Sequence, residues 1–160
     1  MNDPALWWVV GAIAATVLTG LLLRWLWHLG RAVQAERARE LFRLQHERFE
    51  EALLLRAAST GLPRGLRWVS CRITGEALLV RESPTHAIVA LVPVVVQFEP
   101  VEGSEMENVA AAREPRPATA VFTFAAGSWE TTGRIVFNHT PEQAAAAFAS
   151  HYRIIPNGHH

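Results

Sequence analysis

HAIVALVPVVVQFEPV, residues 86–101, decides how the folded part of this chain is built. It is a long apolar run dominated by Val and Ile, whose branched side chains favour a pleated, extended backbone. Its composition and flanking residues predict a strand and not a helix. Pro93 lies in its middle and has no N–H to give to a ladder, so the strand is expected to bend or bulge there.

The segments around it carry the same signature. LRWVSCRI (66–73) and EALLVRE (76–82) are short, apolar and separated by Thr74-Gly75, and they read as a hairpin. In TAVFTFAAG, Ala120, Phe122 and Phe124 point one way and Thr119, Val121 and Thr123 the other. WETTGRIVFN alternates again after Gly127-Ser128, with Trp129, Ile135 and Phe137 on one face, which predicts a second hairpin. Thr140 is expected to be an N-cap, Pro141 the first helical residue, and Gln143 the partner that closes a capping box. Asn138-His139-Thr140 also spells a glycosylation sequon, but capping explains the AAAAFASHY run that follows. These elements predict an α+β domain over 61–155: a curved antiparallel sheet of about five strands wrapped around a helix, with a C-terminal helix. The outline is that of cystatin-like or nuclear-transport-factor-like cones, which does not fix a function. Residues 156–160 are read as a disordered tail.

Upstream, residues 31–58 contain no Pro or Gly and are rich in Ala, Glu, Arg and Leu, all good helix formers. Leu41, Leu44, Phe49, Ala52, Leu53 and Leu55 cluster on one side; Glu36, Glu40, Arg43, Glu47 and Glu50 fill the other. Gln45 and Arg48 interrupt the apolar face, so it is no strict coiled-coil seam. An amphipathic stalk helix is assigned to 31–60, continuous with the segment before it or bent at Gly30, and stopped by Ser59-Thr60-Gly61-Leu62-Pro63.

Residues 1–30 are assigned to a transmembrane helix. Met1 to Leu6 holds no Lys or Arg, and no cleavage site follows, which argues against a signal peptide. Leu6 to Leu23 is eighteen residues without a charge, against roughly 20 for a full span. Arg24 is placed to snorkel, with Trp7 and Trp8 at one interface and Trp25 and Trp27 at the other. His28 is read as an interfacial histidine and not as a ligand to haem or chlorophyll. Arg24, Arg31, Arg37, Arg39 and Arg43 all follow the apolar run, so the bacterial inner membrane is expected to hold the N-terminus outside and the C-terminal domain in the cytoplasm. Gly11, Ala15 and Thr19 form one row of small residues, and Ala12, Thr16 and Gly20 the adjacent row. The two rows make a stripe where another helix can approach closely.

Gly65-Leu66-Arg67-Trp68, FEPVEGSEMENV (98–109), RPATAVF (116–122), Trp129, Gly133 and IVFN (135–138) resemble a set of uncharacterised bacterial proteins. The resemblance covers roughly residues 40–150. It implies a membrane helix, a charged helix and this α+β domain, and it implies no activity.

Net charge is zero and all fifteen basic residues are arginine, so no global field attracts nucleic acid. One cysteine, Cys71, excludes an intrachain disulfide and is read as a small buried strand residue. Glu99, Glu102, Glu105, Glu107 and Glu114 make an acidic loop whose spacing does not match a calcium-binding hand. Ser70, Cys71, His86 and His139 assemble no nucleophile–base pair, and no catalytic or phosphate-loop motif is present. No cofactor, metal or enzyme activity is expected. The reading is a non-catalytic single-pass accessory or assembly subunit of a larger membrane complex, of the respiratory or photosynthetic kind. Its partners would be other transmembrane helices and the lipid bilayer. The alternative is a membrane-tethered module that binds a small molecule or peptide in a concavity lined by Phe122, Phe124, Trp129 and Phe137.

Overall fold

The computed structural model describes residues 4–60 and 64–156; within the helices, the side chains of 4–7, 9–14, 27–29, 31–32 and 46–47 lie outside the description. Two compact units divide the chain, Met1–Arg37 and Ala38–His160. In chain order the elements are α1 (Pro4–Leu44), α2 (His46–Thr60), β1 (Leu66–Ile73), β2 (Leu78–Glu82) and β3 (Ile88–Pro100). A 3-10 turn (Ala110–Arg113), β4 (Arg116–Ala125), β5 (Ser128–Glu130), β6 (Ile135–Phe137), α3 (Pro141–Ala147) and β7 (Tyr152–Ile154) follow.

All seven strands form one antiparallel sheet organised by β3. One edge of β3 carries two strands end to end: β2 along Ile88–Leu91 and β1 along Val94–Pro100. The predicted hairpin of β1 and β2 is therefore corrected, because both pair with β3 and not with each other. Pro93 lies at their junction and stays in register with Thr119 of β4. Its carbonyl accepts the Thr74 N–H at 2.9 Å, on the β1/β2 side. In an antiparallel ladder a residue's N and O face the same neighbour. The missing proline N–H thus falls in the gap between two partner strands, and β3 continues without interruption. The other edge of β3 carries β4, whose own outer edge pairs with β5 at Thr123–Ala125 and with β6 at Ala118–Ala120. The second predicted hairpin is half right, since β5 turns back on β4 but β6 pairs with β4 separately. β7 adds outside β2, bringing the count to seven where about five were expected.

The sheet is covered on both faces along the first half of β3, which explains its unbroken apolar run. Val89 and Leu91, with Val80 and Val121, pack with Ala144 and Ala145 of α3 and with Tyr152. The predicted cap is present: the Thr140 hydroxyl accepts the Gln143 N–H, and the Gln143 side chain accepts the Thr140 N–H. On the opposite face Ala90, Val92 and Ala120 are completely buried, as is Phe122. There Phe122 meets Phe42 and Phe49, with ring centroids 5.5 Å and 5.4 Å away.

Among the described side chains of α1 and α2 the buried ones are Ala35, Ala38, Phe42, Phe49, Leu53 and Ala57, a stripe at helical spacing. This corrects the predicted apolar face, since Leu44 and Leu55 are 69% and 65% exposed. The helix does not break at Gly30; the interruption is at Gln45, between α1 and α2. Long hydrogen bonds flank it, Gln45 N–H to Phe42 O at 3.4 Å and Phe49 N–H to Gln45 O at 3.3 Å. Phe42 and Phe49, on either side, stack at 4.9 Å.

The expected transmembrane helix is not found, and with it the single-pass assignment is overturned. Among the described residues, no helix is long and apolar enough to cross a membrane. Within the described part of α1, Thr16, Thr19 and Gly20 dilute the apolar side chains and Arg24 ends the uncharged run. Placement in the inner membrane, with the N-terminus outside and the C-terminal domain in the cytoplasm, rested on that span and falls with it.

The loop between β5 and β6 crosses the backbone of α2 at one residue. Gly133 has φ +81°, and a Cβ built on it would lie 2.6 Å from both the Ala57 nitrogen and the Arg56 carbonyl carbon. Side chains are excluded both by the left-handed backbone and by the contact. Gly133→Ala is expected to destabilise the domain by about 3 kcal/mol or more, combining strain and overpacking. Denaturant unfolding of the two proteins measures this, and a loss below 1 kcal/mol would show that the loop can move off the helix.

Candidate functional site

Trp129 links the sheet to α1 across 91 residues of sequence. β4 and β5 are joined by Ala126-Gly127, both at positive φ (49° and 84°), as a two-residue turn of this hand requires. The turn brings Trp129 opposite Phe124, with ring centroids 5.1 Å apart. Its other neighbour is Phe42, edge to face at 5.3 Å. The buried indole N–H donates to the backbone oxygen of Ala38 at 2.8 Å. A carbonyl has two acceptor sites, so this bond fixes the end of α1 without disturbing the helix ladder.

The aromatics proposed for a ligand concavity are thereby placed. Phe122 is fully buried and Trp129 is 7% exposed beneath helix side chains, while Phe124 is half-buried. Phe137, 36% exposed, joins a separate group with Trp68 and Phe98, at centroid distances of 6.3 Å and 6.2 Å. The face of the sheet that was to hold a ligand is filled by Phe42 and Phe49.

The predicted helix-packing residues are exposed where they are described: Ala15, Thr16, Thr19 and Gly20. A Cβ on Gly20 would meet nothing within 4 Å. The Thr19 hydroxyl donates back to Ala15 O at 2.8 Å, so its proton is committed within the helix. Gly11 and Ala12 lie outside the described side chains. Of the predicted interface residues, Trp8 is 81% and Trp25 60% exposed, and Arg24 is exposed. Trp7, Trp27 and His28 are outside the described side chains. Leu18, Leu21, Leu22 and Trp25 lie with Thr19 on an exposed side of α1.

The chemistry-bearing residues are dispersed. Among the described residues no group of three or more His, Cys, Asp or Glu is placed to hold a metal ion. In the acidic loop, Glu99 pairs with Arg67 at 2.7 Å on the surface and Glu107 accepts the Gly103 N–H at 2.9 Å. His139 contacts the carbonyl of Phe137, and His86 lies in the turn before β3 at φ 57°. Glu50 was assigned to the solvated side of its helix and is instead half-buried, accepting the Ile73 N–H at 2.7 Å. Val69 bulges between Trp68 and Ser70, and the bulge is what returns Cys71 and Ile73 to the covered face with Trp68. Burial, and then the nearby Glu50 carboxylate, push the Cys71 thiol up from 9.0 to about 12. No protein family, curated protein or solved structure matches this chain.

Two outcomes follow from these contacts. Trp129→Phe keeps the ring packing and removes the bond to Ala38, and should cost about 1 kcal/mol. Amide exchange at Phe42 and its neighbours should quicken by more than exchange in β3, and uniform quickening would deny a specific tie to α1. For Cys71, pH has no effect through the thiol below pH 9.0, where it is neutral in both states. Between pH 9.0 and about 12 the unfolded chain ionises Cys71 and the native chain does not, so stability falls as pH rises. Urea midpoints of Cys71→Val should fall less steeply across that window; parallel curves would mean that the native thiol ionises freely.

Proposed function

We propose that this chain is a non-catalytic accessory or assembly subunit of a larger complex, joined to its partner through α1. The observation that carries this reading is the exposed apolar surface of that helix. All large apolar side chains between Val17 and Leu26 are 49–66% exposed. Each would contribute about 1.5–3 kcal/mol if buried against a partner. Leu18, Leu21, Leu22 and Trp25 have the i, i+3, i+4, i+7 spacing by which a helix enters an apolar groove. Contiguous apolar surface of this kind marks interaction sites. The α+β domain supplies the anchor: its indole and phenylalanines hold the last turns of the same helix.

The test is the mass of the native particle, measured for the full chain carrying a C-terminal tag. The expected result is a particle heavier than the 17.7 kDa chain by stoichiometric partners, reduced to the chain alone when Leu18→Asp and Leu22→Asp are combined. A wild-type particle of the chain's own mass, or one indifferent to the two substitutions, would reject the proposal.

A further inference from the structure

The apolar side chains of α1 are not confined to the side that suits a groove. The seven large ones from Val17 to Leu26 are all 49–66% exposed. At about 100° per residue they span about 240° of the helix circumference, from Val17 through Leu18 and Leu22 to Leu23. Only the small Ala15 and Thr19 interrupt that arc, and the Thr19 hydroxyl donates to Ala15 O at 2.8 Å. Thr16, Gly20 and Arg24, spaced four apart, occupy the remaining side, about a third of the circumference.

A helix that docks by one face buries a stripe about 100° wide. Leu18, Leu21, Leu22 and Trp25 already fill such a stripe. Leu26 lies about 40° beyond Leu22, and Leu23 about 100° beyond it. A one-walled groove would leave both in water. So would a pair of α1 helices from two copies of the chain, which also meet stripe against stripe. We propose that the partner of α1 encloses it with apolar walls on at least two sides, formed by two or more helices of another protein, and leaves the Thr16–Arg24 side open. A helix that is apolar over most of its circumference is stable in water only inside such a core. Trp25 brings an indole N–H into the arc, so the wall facing it carries a hydrogen-bond acceptor. The inference rests on the reading of α1 as the joining element.

The experiment places single aspartates around α1 of the tagged full chain and reads native particle mass and partner recovery. Leu22→Asp, Leu23→Asp and Leu26→Asp should each lower partner recovery about tenfold or more. Gly20→Asp, on the open side, should leave it unchanged. All four positions are exposed, so none of the variants disturbs the folded domain. A loss confined to Leu22→Asp would describe a one-walled groove, which overturns the enclosure and leaves α1 as the joining element. A loss in none of the variants would remove α1 from the interface and reject both readings. Equal loss in Gly20→Asp would overturn the enclosure, because the apolar arc would not decide binding. A wild-type chain recovered alone, and floating with phosphatidylcholine vesicles, would assign the arc to lipid and overturn the proposal.

Discussion

The indole N–H of Trp129, held 2.8 Å from the Ala38 carbonyl, ties two parts of the chain that sequence separates by most of its length. Around that bond Phe42, Phe49 and Phe122 form a continuous aromatic contact, with centroid distances from 4.9 Å to 5.5 Å. The cluster closes the helix-covered face of the sheet. It spans the interruption at Gln45, with Phe42 on one side and Phe49 on the other. Its energetic weight is large: a Phe as buried as Phe122 costs about 3–5 kcal/mol when truncated to Ala.

The sheet provides the frame for that cluster by sharing β3 among three partners. Because β1 and β2 divide one edge between them, the proline of β3 can occupy the junction without breaking a ladder bond. Because the bulge at Val69 resets the alternation of β1, Cys71 and Ile73 reach the covered face as Trp68 does. Glu50 then caps the Ile73 N–H from α2. Both faces of the first half of β3 are thereby filled, by α3 on one side and by Phe42 and Phe49 on the other.

Much of the local structure was legible in the residues. Alternation placed Ala120, Phe122, Trp129, Ile135 and Phe137 on a common face, and the register confirms it. The Thr140–Gln143 box, the long strand through Pro93 (though without the bulge expected there) and the burial of Cys71 were equally readable. The errors concern distant pairing. Thr74-Gly75 suggested a hairpin because nothing local reveals that β3 can serve both strands. Tyr152-Arg153-Ile154 is too short and too polar to read as a strand, and becomes one only against β2. The apolar face was misjudged at Leu44 of α1 and Leu55 of α2, which lie off the buried stripe of Phe42, Phe49 and Leu53.

The candidate sites divide in the same way. Sequence alone determined that α1 is helical and rich in apolar side chains, that the strands alternate, and that α3 is capped, because propensity, period and capping act within one or two turns of chain. Only the tertiary structure decided that Phe122 and Trp129 are core, that Glu50 serves a strand and not solvent, and that Arg81 lies opposite Arg153 in register. Those outcomes depend on which strands share an edge. That choice is fixed by burying apolar faces against each other across the whole domain, a cooperative preference that no short segment carries by itself.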